Sequence, residues 1–118
     1  MIGEPRRTGL LGEMYSGRYL RKKGYDIWAA NYRTKAGEID IIAFDGVSVC
    51  IVEVKTRHDG GYFPPSAAVD HKKEENVKSA AAAFMGEIKS SLPLRFDIIE
   101  VVLLTEDEFR IRHLENAF

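Results

Sequence analysis

One cysteine, four prolines and one tryptophan in 118 residues already exclude several kinds of protein. A lone thiol, Cys50, can form neither an internal disulfide nor a cysteine-rich zinc site, and its apolar neighbours predict a reduced, buried side chain, as expected of a cytoplasmic protein. No segment approaches the ~18 apolar residues of a membrane span. The opening MIGEPRRTGLLGEM carries an early acid and lacks the apolar stretch of a secretory signal, so a soluble chain without a membrane partner is expected. Net charge is nearly absent as well, at -1. Its distribution is uneven: residues 1–57 hold ten Lys/Arg against seven Asp/Glu (+3), and residues 58–118 hold seven against eleven (-4). A basic first half suits a polyanion, although scattered solvated charges give the same count.

What is present is 45% apolar residues, enough to bury one core, so a single domain over 1–118 is expected. Leu10, Leu11, Met14, Gly17 and Leu20 recur at helical spacing, and Lys22-Lys23-Gly24 is a basic last turn with a glycine stop, which predicts a helix over about 8–23. Tyr25 to Arg33 is rich in strand formers. EIDIIAF and VSVCIVEVK flank Asp45-Gly46, a strong hairpin signal. His58 to Ser66, with two glycines and two prolines, predicts a loop or flap. Asp70 is a candidate N-cap for a second helix through the alanine run, and two further strands follow, joined by the turn at 106–108. The order α-β-β-β-α-β-β predicts an α/β domain with one central, mixed, five-stranded sheet flanked by helices. Tyr19, Trp28 and Phe84 are expected in its core, with Arg95 and Asp97 as an ion pair supporting the sheet and residues 116–118 tucked against the body.

The charged residues inside the hairpin carry the functional signal. A two-residue turn at Asp45-Gly46 would pair Phe44 with Val47, set Glu38 opposite Glu53, and make Asp40 a diagonal neighbour of Glu53 on the same face. Lys55 shares that face, and the opposite face is apolar. Carboxylates gathered at one end of a covered sheet repel and resist desolvation. Lys55, protonation of one acid, or a divalent cation could each offset them, and hard oxygen ligands suit the cation. The rival reading is an ordinary charged sheet rim with Lys55 in an ion pair. With a metal, Asp40 and Glu53 would be the ligands, and Lys55 would orient or help deprotonate a water in phosphodiester hydrolysis.

An Asp on one strand and Glu-x-Lys on the next resemble the PD-(D/E)xK signature of the restriction-endonuclease-like superfamily, here Asp40, Glu53 and Lys55. The spacing is also similar to that of archaeal Holliday-junction resolvases, which add a first-helix glutamate; Glu13 matches it. The resemblance is closer still to the bacterial YraN-type family of predicted endonucleases. It covers nearly the whole chain through "GEM…YL…KG", "AANYR", "GEIDIIA", "IVEVKTR", Lys73 in "VDHKKEENVKSA", "RFDIIEV" and the terminal "NAF". No proline precedes Asp40, and Glu38 in "GEID" is either a further metal ligand or a rim residue.

The resemblance implies a restriction-endonuclease-like fold and a nuclease that uses Mg²⁺ or Mn²⁺ on DNA, with branched substrates by analogy. It gives Glu13 a direct or supporting role at the metal. Arg33, Lys35, Arg57, Lys72 and Lys73 are the candidate phosphate contacts, each of them also readable as a solvated side chain. Cutting a two-fold junction would require two sites, hence a homodimer. The competing expectations are a nucleic-acid-binding or assembly module that cuts nothing, and a structural protein with an ion-paired rim.

Overall fold

The computed structural model describes residues 5–60, 70–105 and 107–118. Its element order is α1 (Pro5–Lys22), β1 (Asp26–Arg33), β2 (Glu38–Phe44), β3 (Val49–His58), α2 (His71–Glu87), β4 (Leu94–Leu103) and β5 (Phe109–Leu114). The five strands form one sheet in the order β1-β2-β3-β4-β5. Only β3 and β4 run parallel, with α2 in the crossover between them; the other pairs are antiparallel. This is the α/β, restriction-endonuclease-like arrangement expected from the sequence. The loop expected over 58–66 lies outside the described residues from position 61 onward, as does Glu106 of the turn expected at 106–108.

Local chemistry explains where the helices begin and end. Pro5 suits a first helical turn because its missing N–H has no helical partner to lose. After Arg21 and Lys22, Gly24 takes φ +90 and the Tyr25 N–H returns to the Leu20 carbonyl, closing the C-terminus of α1. Asp70 caps α2 as expected, its carboxylate accepting the Lys73 N–H at 3.1 Å.

Each helix covers one sheet face. Tyr15 and Leu20 of α1 pack over Ile41, Cys50, Val52, Ile99 and Val101. Val77, Ala80, Ala81, Phe84 and Met85 of α2 pack over Ile39, Ile42, Val49 and Ile51. Helix α1 comes especially close to β3 at Gly12, where an added Cβ would collide with the Thr56 hydroxyl and crowd the rest of that side chain. We expect Gly12→Ala to cost about 1–3 kcal/mol in urea denaturation through overpacking; unchanged stability would show that the helix can slide away freely. Trp28 departs from the expected core: it is 39% exposed, because β1 is an edge strand, and stacks on Phe44 at 5.0 Å between centroids.

A second polar cluster lies at the start of β4. Arg95 Nε and Nη2 donate to Asp97 at 2.9 and 2.8 Å, Nη1 donates to Asp45 at 2.8 Å, and Nη2 also reaches the Tyr25 hydroxyl at 2.7 Å. His113 Nε2 lies 2.8 Å from Asp97, and the Asn116 N–H donates to it at 3.0 Å. The expected Arg95–Asp97 pair is therefore the centre of a larger network. The C-terminus also tucks back as expected: the Ala117 N–H donates to the Phe96 carbonyl, and Phe118 packs against the Phe96 ring.

Candidate active site

The β2–β3 hairpin is longer by two residues than its Asp-Gly pair predicts. Phe44 pairs with Val49, Ile42 with Ile51 and Ile41 with Val52, so the connection is Asp45 to Ser48. The Asp45 carboxylate sets this length by accepting both the Val47 and Ser48 N–H groups, at 2.8 and 2.7 Å, while Arg95 holds its other oxygen. The expected pairings of Phe44 with Val47 and of Glu38 with Glu53 are thus corrected. A shift of two preserves side-chain parity. One step beyond Ile41↔Val52, Asp40 comes level with Glu53.

The ladder stops at that step. The Val54 N–H donates instead to Asp40 Oδ2 at 2.8 Å, so a carboxylate occupies the place of a backbone carbonyl. Simple alternation also fails here: Ile39 and Ile42 lie in the core under α2, and Ile41 lies in the core under α1. Across from Asp40, between the pairs Ala30↔Ile41 and Tyr32↔Ile39, Asn31 has φ 51. A left-handed residue in a strand reverses the local pleat, and Asn tolerates that conformation better than most side chains.

Asp40 is consequently held among other acids. Burial first, then the charges of Glu53 and Glu13, push its pKa from 3.8 up to about 7, against the Val54 N–H and the Lys73 charge, which lower it. Burial also raises Glu13, the nearby Glu38 charge adds to this, and a hydrogen bond with Asn31 works against it. The Glu53 side chain is only 8% exposed, and its Oε2 accepts from Lys73 Nζ at 3.0 Å. Burial works against the Lys73 ammonium, but its bond to Glu53 and the charges of Glu53, Asp40 and Asp70 outweigh that and raise its pKa.

The structure therefore brings together Asp40, Glu53, Glu13 and Lys73. Lys55, two residues after Glu53 on β3, is half-buried and has no ion-pair partner among the described residues, so the expected Lys55 counter-charge to Glu53 is replaced by Lys73. Glu38 turns outward, 43% exposed, and pairs with Arg33 at 3.4 Å. Lys35 is exposed in the β1–β2 turn, and Lys72 is exposed in the first turn of α2. Arg57 is half-buried on β3 and donates to the His58 carbonyl at 3.1 Å. Sequence reasoning missed Asn31 and the pairing of Lys73. An asparagine amid the strand formers of β1 was a legible sign of the first; the second needs the fold.

Among the described residues no three His, Cys, Asp or Glu side chains converge as a self-sufficient metal cage. The donor set present is two carboxylates, Asp40 and Glu53, with Glu13 beside them. That suits Mg²⁺ better than a protein-caged ion, because Mg²⁺ commonly takes one or two carboxylates and fills its shell with water and substrate phosphate.

The Asp40 environment has a measurable consequence without metal. Its folded-state pKa lies above its unfolded value, so the folded chain binds the proton more tightly and wild-type stability falls as pH rises from about 4 to 7. Asp40→Asn keeps an acceptor for Val54 and removes the charge. After discounting for partial exposure, we expect it to gain about 1–2 kcal/mol at pH 8 in EDTA, shrinking towards zero at pH 4–5. Urea melts at the two pH values check this, and a pH-independent difference would contradict it.

Comparison with known proteins places these motifs in a wider set. The profile of the Uncharacterised protein family UPF0102 matches residues 12–101, which include Glu13, Asp40, Glu53, Lys55 and Lys73. A UPF0102 protein of Alkaliphilus oremlandii is 42% identical over 118 residues, covering 96% of this chain and 98% of its own. One from Chlorobaculum tepidum is 40% identical over 123 residues, covering 99% and 95%. Another from Geobacter sulfurreducens is 40% identical over 112 residues, covering 93% and 87%.

Proposed function

The chain belongs to the uncharacterised protein family UPF0102, and we propose that it is a metal-dependent nuclease that hydrolyses phosphodiester bonds in DNA. The observation that carries this reading is the Asp40–Glu53 pair, level across parted strands, with Lys55 two residues further along β3 and without an ion-pair partner among the described residues. The likeness of this constellation to PD-(D/E)xK nucleases and archaeal Holliday-junction resolvases supports it and suggests branched DNA as the substrate.

Asp40 and Glu53 would hold Mg²⁺ or Mn²⁺, which supplies Lewis-acid charge stabilisation and a more acidic water. Val54 fixes the Asp40 carboxylate through its N–H, so this ligand is oriented before any ion arrives. Glu13, held by Asn31, adds negative charge beside Asp40. Lys55 Nζ orients the attacking water and places positive charge against the phosphoryl oxygens as their charge grows. Lys73 balances Glu53. Arg33, Lys35, Arg57 and Lys72 supply salt-sensitive phosphate contacts around the scissile bond.

The Lys73–Glu53 ion pair also favours a second reading, a DNA-binding module whose acids are neutralised from within and cut nothing. Incubation with linear, nicked, single-stranded and four-way-junction DNA, in Mg²⁺ or Mn²⁺ and in EDTA, separates the two. The nuclease reading expects strand scission only with metal. Retarded but intact DNA under every condition would select the binding module. A homodimer, required for paired cuts in a junction, is tested by solution mass on the junction-bound chain.

A further inference from the structure

Beside Asp40 a cleft of about 300 Å³ opens between α1 and the edge strand β1. Glu13, Asn31 and Asp40 line it together with Leu10, Met14, Gly17, Arg18 and Arg21 from one stripe of α1. Leu10 and Met14 are 58% and 40% exposed, an apolar wall left open by the described residues. Arg18 and Arg21 are exposed and have no ion-pair partner among the described residues. The cleft therefore combines carboxylates, an apolar wall and two guanidinium groups that no carboxylate among the described residues pairs, that of Arg18 lying 6.0 Å from the Tyr15 ring centroid.

Gly17 is the second observation. A glycine inside a helix costs stability relative to alanine, so its presence needs a reason. At Gly12 the reason is contact with Thr56; at Gly17 an added Cβ would meet only Arg21 Nη1, at 3.8 Å. No backbone or core residue requires the missing side chain there. Its absence leaves space in the cleft.

We infer that this cleft seats a single unpaired nucleotide of DNA next to the scissile phosphate, an inference that rests on the nuclease reading of Asp40 and Glu53. The charge pattern selects this occupant. The acids would hold the cation and, through it, the reacting phosphate, while Arg18 and Arg21 donate hydrogen bonds to a neighbouring phosphate. Between them, Leu10 and the polarisable Met14 offer a face for one base, and the Arg18 guanidinium plane can stack on it. The volume lies at the low end of the ~300–1,000 Å³ of small-ligand sites, enough for one nucleotide and too narrow for a base pair. The substrates so defined are flaps, bulges, junction branch points and single-strand boundaries, and continuous duplex is disfavoured.

The test reads binding in EDTA, without cleavage, using a duplex that carries 2-aminopurine either paired or in a one-nucleotide bulge. The native chain is expected to bind the bulged duplex about 10-fold tighter than the continuous one and to change the fluorescence of the unpaired probe. Gly17→Leu fills the seat, and Met14→Glu, a surface change, places a negative charge on its wall. Both are expected to lose the preference while binding continuous duplex within about two-fold of the native chain. Equal native affinity for the two duplexes, or a preference that survives in both variants, overturns the seat. A chain that shows the preference and cuts nothing in Mg²⁺ retains the seat and loses the nuclease; one that cuts continuous duplex as fast as bulged DNA does the reverse.

Discussion

Lys55→Met is expected to bind DNA within a few-fold of the native affinity and to cut it about 10²–10⁴-fold more slowly in Mg²⁺. Glu53 already has its cation in Lys73 at 3.0 Å, so Lys55 is not needed to hold the acids in place. It is half-buried on the strand that carries Glu53 and has no ion-pair partner among the described residues. A long flexible ammonium in that position acts when charge develops on the phosphate, and an interaction made mainly in the transition state is lost from kcat more than from binding. Lys73→Met should behave differently: it exposes a buried Glu53 charge and so lowers stability as well as rate. Single-turnover cleavage with a parallel binding titration separates these cases. A Lys55→Met protein with native kcat would remove this residue from the mechanism.

Asp97→Ala should cost about 3–5 kcal/mol, a large part of the 5–15 kcal/mol that holds an ordinary domain together. The Asp97 side chain is fully buried, and its removal takes the carboxylate from His113 Nε2 and leaves Arg95 its Asp45 side and Tyr25, the Arg95 and His113 side chains being only 18% and 3% exposed. Burial alone would raise the pKa of Asp97, but hydrogen bonds from His113, Arg95 and the Asn116 N–H outweigh it and hold the pKa at about 2. The folded value lies below the unfolded 3.8, so its contribution is complete above about pH 4 and is lost as pH falls towards 2. Acid denaturation should therefore begin in that window in the native chain and shift upward in Asp97→Asn, which keeps the shape and gives up the charge. A melting temperature unchanged by Asp97→Ala would show the network to be dispensable. Asp97 lies level with Val52, next to Glu53 on β3, but its hydrogen bonds go to Arg95, His113 and Asn116 and not to Asp40 or Glu53, so any residual folded fraction should keep metal-dependent cleavage.

The two networks show which features a sequence discloses. The strands around Asp40 and Glu53 were legible because apolar runs of the right length flank Asp45-Gly46, and the placement of both acids on neighbouring strands survived an error of two in register. Parity is unchanged by an even shift, but it does not by itself place Asp40, because alternation breaks between Ile39 and Ile41. The register itself was not legible. It depends on the Asp45 carboxylate capping the turn while bonded to Arg95, which is 50 positions away in the chain. Lys73 was legible as a basic residue near a helix start, but its partner belongs to a strand 20 positions earlier. The reversal of β1 at Asn31, which opens the pocket wall beside Asp40, follows from one left-handed residue that no periodicity reveals. Long-range polar contacts set these details, whereas local propensity set the elements.

The most direct measurement compares cleavage of end-labelled branched DNA by the native chain and by Asp40→Asn across a Mg²⁺ titration. The native chain should cut with a rate that saturates in Mg²⁺ and vanishes in EDTA. The variant, at least as stable at pH 8, should be slower by about 10³-fold or more at every concentration. Equal rates in the two proteins, or native cleavage undiminished by EDTA, would contradict an active site built on Asp40 and Glu53.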